Sequence, residues 1–159
     1  MNTLKIALFA SLVSKLSKLI EWETRSKYSH AAIVLRDGSV IESVEPDGVR
    51  KLPRLPDVSE PDRIDLFEIR GPYGGLTEGQ MGLVEAFLGG QLGKPYDWPD
   101  LIGFVTRDRL QEDRGAWFCS ELVFAAIEAG GVTLLRDISP FQVSPGTLSL
   151  SPYLVAIGS

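Results

Sequence analysis

Residues 28–43 read YSHAAIVLRDGSVIES. Two apolar runs rich in β-branched residues flank Asp37-Gly38. Asp-Gly in that setting is a strong hairpin signal, because both residues tolerate the positive φ of a tight turn. Strands are expected over 29–36 and 39–45. The first opens on His30, the chain's single histidine, and the second carries Glu42 within Val40-Ile41-Glu42-Ser43. A half-buried carboxylate without a partner is costly, so Glu42 needs a reason to be there. A histidine with one ring nitrogen held by a carboxylate is a good general base. Glu42 and Glu45 are the nearby candidates to accept its Nδ1 proton. Turn length decides between them. A two-residue turn pairs Arg36 with Ser39 and His30 with Glu45, leaving Glu42 on the opposite face. A three-residue loop or a bulge brings Glu42 to the His30 face, though not directly opposite it.

Further along, residues 117–123 read WFCSELV and contain the only cysteine, Cys119. A helix is expected from there to Gly130-Gly131, with Leu122, Val123, Ala126 and Ile127 facing the core. A cysteine at a helix start meets free backbone amides and the positive end of the helix dipole, which favour thiolate. The same amides can hold an oxyanion, the Cys119 N–H foremost. One cysteine makes no internal disulfide, and one cysteine with one histidine closes no tetrahedral zinc site without added carboxylates. Cys119 is left with burial as a small apolar residue or with nucleophilic chemistry. For the second, Cys119 should be accessible and acidic.

The rest of the chain reads as one domain over 1–159. Residues 4–9 suit a short strand or the run-in to a helix. Leu12 to Trp22 carries apolar residues at helical spacing and reads as a core-packing helix rather than a membrane-surface one. Residues 46–63 hold four of the ten prolines and are expected to be a surface loop. Asp65 to Ile69 alternates like a half-buried strand. Thr77 and Gln80 form a capping box for a helix expected to stop near Gly89-Gly90. Leu101 to Val105 suits a short helix, and Tyr153 to Ile157 a closing strand. Segregated strands and helices indicate an α+β fold.

The 159 residues carry a formal net charge of -5, with 44% hydrophobic and 23% charged residues. Such a chain is globular, and no global basic field draws it to nucleic acid. No stretch reaches the ~20 apolar residues of a membrane span. The start imitates a signal peptide only weakly, so a cytoplasmic location is expected.

The two quoted segments resemble the His strand and the Cys helix of NlpC-type papain-like enzymes. In ordinary members the cysteine helix comes first. Here His30 precedes Cys119, as in the permuted branch of YaeF/YiiX-like amidases. Gly93-Lys94-Pro95-Tyr96-Asp97 and Ser144-Pro145-Gly146-Thr147-Leu148 also resemble that branch. The lecithin-retinol-acyltransferase-like group fits less well: it has His in the third position and an Asn-Cys-Glu-His motif, against Phe118-Cys119-Ser120-Glu121 here.

The resemblance implies a circularly permuted papain-like fold, an antiparallel sheet or half-barrel with packed helices and the cysteine at a helix N-terminus. It implies a triad of Cys119, His30 and Glu42, since the family's step of twelve from histidine to third member reaches Glu42; Glu45 is the reserve. Tyr96, Tyr28 and Ser120 are candidate substrate or oxyanion contacts. Trp98, Trp117 and Phe104 could line a cleft. The expected reaction is cleavage of an amide in a small peptide, peptidoglycan-derived or otherwise, through an acyl-enzyme and without metal or organic cofactor. A lipid-directed thiol acyltransferase or esterase, and a non-catalytic binding protein keeping the fold, are the alternatives.

Overall fold

The computed structural model describes residues 3–10, 26–71, 73–97 and 115–158. Among them seven strands form one antiparallel sheet. These are β1 (Lys5–Ala10), β2 (His30–Val34), β3 (Val40–Val44), β4 (Gly48–Leu52), β5 (Arg63–Gly71), β6 (Gly74–Gly75) and β7 (Leu154–Gly158). Their order is β4-β3-β2-β1-β5-β6, with β7 also on β5. Helices α1 (Glu78–Gln91) and α2 (Cys119–Ala129), a 3-10 turn (Pro140–Gln142) and the short α3 (Pro145–Leu148) complete the described elements. The mixed α+β class expected from the sequence is the one observed.

Residues 4–9 could have been strand or helix because the run is apolar but for Lys5. The structure shows why. β1 lies inside the sheet between β2 and β5, and both its faces are covered. Ile6 and Leu8 join the main core with Ala31, Ile33, Ile41, Phe67 and Ile69 of the sheet and Met81, Val84, Leu122 and Ile127 of the helices. Ala7 joins a smaller cluster on the other face with Ala32 and Val40, bordered by Phe9, Val34 and Leu66. A strand buried on both faces loses the alternation that marks a half-exposed one.

One expectation is corrected and one is sharpened. Residues 46–63 are not all surface loop, because Gly48–Leu52 forms β4 and pairs with β3 from Val44↔Gly48 to Val40↔Leu52. The prolines that suggested a loop lie outside that strand, at 46, 53, 56 and 61. Helix α1 runs through Gly89-Gly90 to Gln91, and the left-handed residue that follows is Gly93, at φ 83°. Its start is as expected, with Thr77 Oγ1 accepting from the Gln80 amide and Gln80 Oε1 from the Thr77 amide. The segments Leu12–Trp22 and Leu101–Val105 lie outside the described residues.

Candidate active site

The Asp37-Gly38 turn decides the geometry of the site. The Leu35 amide donates to the Ser39 carbonyl at 2.7 Å and the Gly38 amide to the Leu35 carbonyl at 3.0 Å. Gly38 has φ 85°, and Asp37 Oδ1 accepts from the Ser39 amide at 2.9 Å. This is a three-residue hairpin loop with glycine in the left-handed position, not the two-residue turn. The strand register follows: Val34 faces Val40, Ile33 faces Ile41 and Ala32 faces Glu42. Glu42 therefore shares a face with Ala32 and with His30, two residues further out.

From that diagonal position the Glu42 carboxylate reaches the imidazole, with His30 Nε2 and Glu42 Oε2 2.6 Å apart. Diagonal neighbours across a ladder lie within reach of long and aromatic side chains. The nitrogen engaged is Nε2, not the expected Nδ1. Glu42 lies along the ladder from His30, and the tip of the ring is what extends that far. Cys119 is the second neighbour of the ring, close enough for hydrogen bonding and charge to act on the imidazole. Phe9, opposite His30 on β1, sets its ring edge-on to the imidazole at 5.0 Å between centroids. Glu45 lies beyond the end of β3 and is exposed.

Glu42 has a further partner that the sequence reading missed. Arg50, directly opposite on β4, donates from Nε at 3.0 Å and from Nη2 at 2.8 Å, both to Oε1. The two oxygens of one carboxylate, only 4% exposed, are thus divided between a histidine and an arginine. Arg50 in turn meets Asp47 through Nη1 at 2.5 Å. Arg50 was hidden because its strand was read as loop; pairing β3 with β4 by register would have found it.

The electrostatics follow from these contacts. Burial alone would lower the His30 pKa, but hydrogen bonding and charge from Cys119, and then from Glu42, push it up to about 10. Burial works to raise Glu42, yet His30 and then Arg50 hold it below the usual carboxylate value. Both groups therefore favour their charged forms.

Cys119 is the first residue of α2. The Phe118 amide before it donates to Glu121 Oε2 at 3.2 Å, a side chain of the same helix turn. The segment leading in is held from three sides. Trp117 donates its amide to the Pro95 carbonyl at 3.1 Å, while its own carbonyl accepts from the Asp97 amide at 3.2 Å and from Ser43 Oγ at 2.6 Å. Strand β3 thus serves both halves of the site. Glu42 points to one face and holds the histidine; Ser43 points to the other and holds the approach to the cysteine. Cys119 was expected to be accessible but is only 2% exposed, because the start of α2 is buried residue by residue from Cys119 to Phe124.

The other candidates divide. The Tyr96 ring meets Phe118 edge-on at 5.8 Å, and Tyr96 is bridged to Trp117, so it stands beside the start of α2. The Tyr28 hydroxyl donates to Asp65 Oδ2 at 2.6 Å, and the Ser120 hydroxyl to the Val143 carbonyl at 2.5 Å. Those two donors are already engaged within the fold. Trp117 is pinned to α1, with Nε1 donating to Gln91 Oε1 at 3.0 Å and its ring against Phe87. Trp98 and Phe104 lie outside the described residues.

The fold and site together define an α+β protein with a cysteine–histidine–carboxylate cluster between a sheet end and a helix start. No family model matches the chain, and no curated protein matches it in sequence. Among solved structures it is similar to YiiX from Escherichia coli O157:H7, a protein described as a metalloprotein of DUF1105. The two share 21% identity with a TM-score of 0.74, over 99% of this chain and 96% of YiiX. The chain therefore has a YiiX-like fold. Among its described residues no group of three or more His, Cys, Asp and Glu side chains is arranged to hold a metal ion. The acidic residue nearest His30 faces an arginine, a poor setting for a cation. Among the described residues no helix is long and apolar enough to cross a membrane.

Proposed function

We propose that this chain is a cysteine hydrolase of the permuted papain-like kind, cleaving an amide bond with Cys119, His30 and Glu42. The observation that carries the reading is the shared imidazole of His30. One nitrogen is 2.6 Å from a buried carboxylate, and the only cysteine lies close enough to the ring to raise its pKa. Nucleophile, base and orienting group in one line is the arrangement that activates a thiol.

In the proposed reaction His30 takes the Cys119 proton and the thiolate adds to the substrate carbonyl. The oxyanion is held by backbone amides at the start of α2, with the Tyr96 phenol as a candidate further donor. The intermediate collapses by breaking the C–N bond, and the leaving amine takes the proton from His30. Water, deprotonated by His30, then hydrolyses the thioester. The acid is released and the thiol and imidazole are restored. Glu42 stabilises the imidazolium throughout.

The test is an activity-based thiol probe competed against a panel of peptide amides, other amides and lipid esters. Labelling at Cys119, with turnover of a peptide or other amide lost in Cys119→Ala, supports the reading. Turnover of lipid esters alone would replace it with the acyltransferase or esterase reading, and a thiol inert to every probe would replace it with a binding role.

A further inference from the structure

We infer that Arg50 is a positioning residue of this site, the group that aims the Glu42 carboxylate at His30. The inference rests on the proposed thiol chemistry and extends it by a fourth member. A glutamate side chain has three rotatable torsions, and a single hydrogen bond to a histidine does not fix them. The Arg50 guanidinium does so by placing Nε and Nη2 on the same oxygen, Oε1. That leaves Oε2 as the oxygen directed at the ring. The fork is planar and permanently charged, which suits it to orienting a carboxylate. It is anchored at both ends, through its strand pairing with Glu42 and through Nη1 to Asp47. Without Arg50, a carboxylate 4% exposed would carry its charge against the histidine alone, and would protonate or turn toward solvent.

Two effects of Arg50 oppose each other, and their signs differ. As a cation it repels the imidazolium; as a clamp it keeps the carboxylate in contact with it. The clamp is the larger effect, because the Glu42–His30 contact is direct while Arg50 acts on His30 from beyond the carboxylate, and Coulomb energy falls with distance. Among the described residues the titratable and charged groups in contact with Glu42 are His30 on β2 and Arg50 on β4, with Cys119 of α2 beyond the first and Asp47 beyond the second.

The chain has one cysteine and one histidine, so both reporters are unambiguous. Iodoacetamide alkylation followed against pH reads the Cys119 thiolate, and 15N-histidine NMR reads the protonation of His30. In Arg50→Gln the low-pH limb of alkylation is expected to move up by about one pH unit, as for a carboxylate losing an adjacent cation. The His30 Nε2–H signal should be lost to solvent exchange. On any amide the protein turns over, kcat/KM should fall about 10- to 100-fold with KM little changed, the effect of losing charged hydrogen bonds. Arg50→Lys keeps the charge without the fork, and should restore the pH limb but only part of kcat. Retention of the Nε2–H signal in Arg50→Gln, or full kcat in Arg50→Lys, would overturn the inference, since Arg50 would then act only as a counter-charge. If the wild-type protein itself shows one ionisation near that of a free thiol, indifferent to His30→Ala, the underlying thiol reading fails instead. Circular dichroism and the Lys variant separate these outcomes from misfolding.

Discussion

Strands β2 and β3 connect two arginine–carboxylate clusters, one at each end of their hairpin, and the clusters do different work. At the turn end Arg36 spans to α1, with Nη1 on Glu78 at 2.7 Å and Nε on Glu85 at 3.0 Å. At the open end Arg50 grips Glu42 from the next strand. The chemistry is the same and the surroundings are not. Glu78 is largely exposed, with 65% of its side chain accessible, so water competes for the pair and its worth is small. Glu42 is buried and is shared with a titratable ring. Burial turns an ion pair that tethers a hairpin into one that shares its carboxylate with a titratable ring. An arginine–glutamate pair is therefore informative about chemistry only when its solvent exposure and its third partner are known.

The largest effect that would break this contrast is at His30 itself. His30→Ala should abolish amide turnover. It should also leave Cys119 alkylation with a single ionisation near a free thiol's value of about 8.5; alkylation still fast at pH 6 would sink the pairing. Next comes the carboxylate. Glu42→Gln keeps the shape and removes the charge. Turnover should drop ~10- to 1000-fold, less than the loss in a serine-protease triad because a thiol is the better nucleophile. The exposed Glu45→Gln should match wild type, and a loss confined to Glu45→Gln would reverse the assignment.

A smaller effect is expected from the loop that braces the cysteine. Gly48 has φ 73°, and a Cβ there would stand 2.2 Å from the Lys94 carbonyl oxygen. The same oxygen accepts from the Val49 amide. Gly48→Ala should destabilise the fold by more than ~1 kcal/mol, because both the backbone angle and the space are wrong. It should also slow alkylation, because Lys94-Pro95 carries the contact to Trp117. Full reactivity in a measurably destabilised variant would show that the brace does not reach the thiol. The smallest effect belongs to the turn end: Arg36→Ala should shift the urea midpoint only slightly and leave the alkylation profile of Cys119 in place.

Stability against pH sharpens the same comparison. The His30 pKa is raised from 6.5 to about 10. Its stabilising contribution is therefore complete below about pH 6.5 and is lost as pH rises through 10. Glu42 is held below its usual 4.5, so its contribution is present above that value and fades as pH falls through the lowered one. Urea denaturation across pH should show the gap between wild type and His30→Ala closing toward pH 10. A gap constant from pH 6 to 10 would mean that His30 carries no such raised pKa in the fold.

Much of this was legible in one sequence. The hairpin was marked by Asp37-Gly38, the α1 start by Thr77 and Gln80, and the helix after Cys119 by its apolar spacing, because each is a local signal held within a few residues. The single cysteine and single histidine narrowed the possible chemistry by simple exclusion. Tertiary structure decided what depends on register and burial. The three-residue loop put Glu42 on the His30 face; side-chain reach across the ladder selected Nε2; a strand hidden among prolines supplied Arg50. The burial of Cys119 and the engagement of the Tyr28 and Ser120 hydroxyls were equally out of view, since a partner 23 or 37 positions away in the chain leaves no periodic trace. Residue type and local spacing limit which groups can react, and packing between distant segments decides which of them meet.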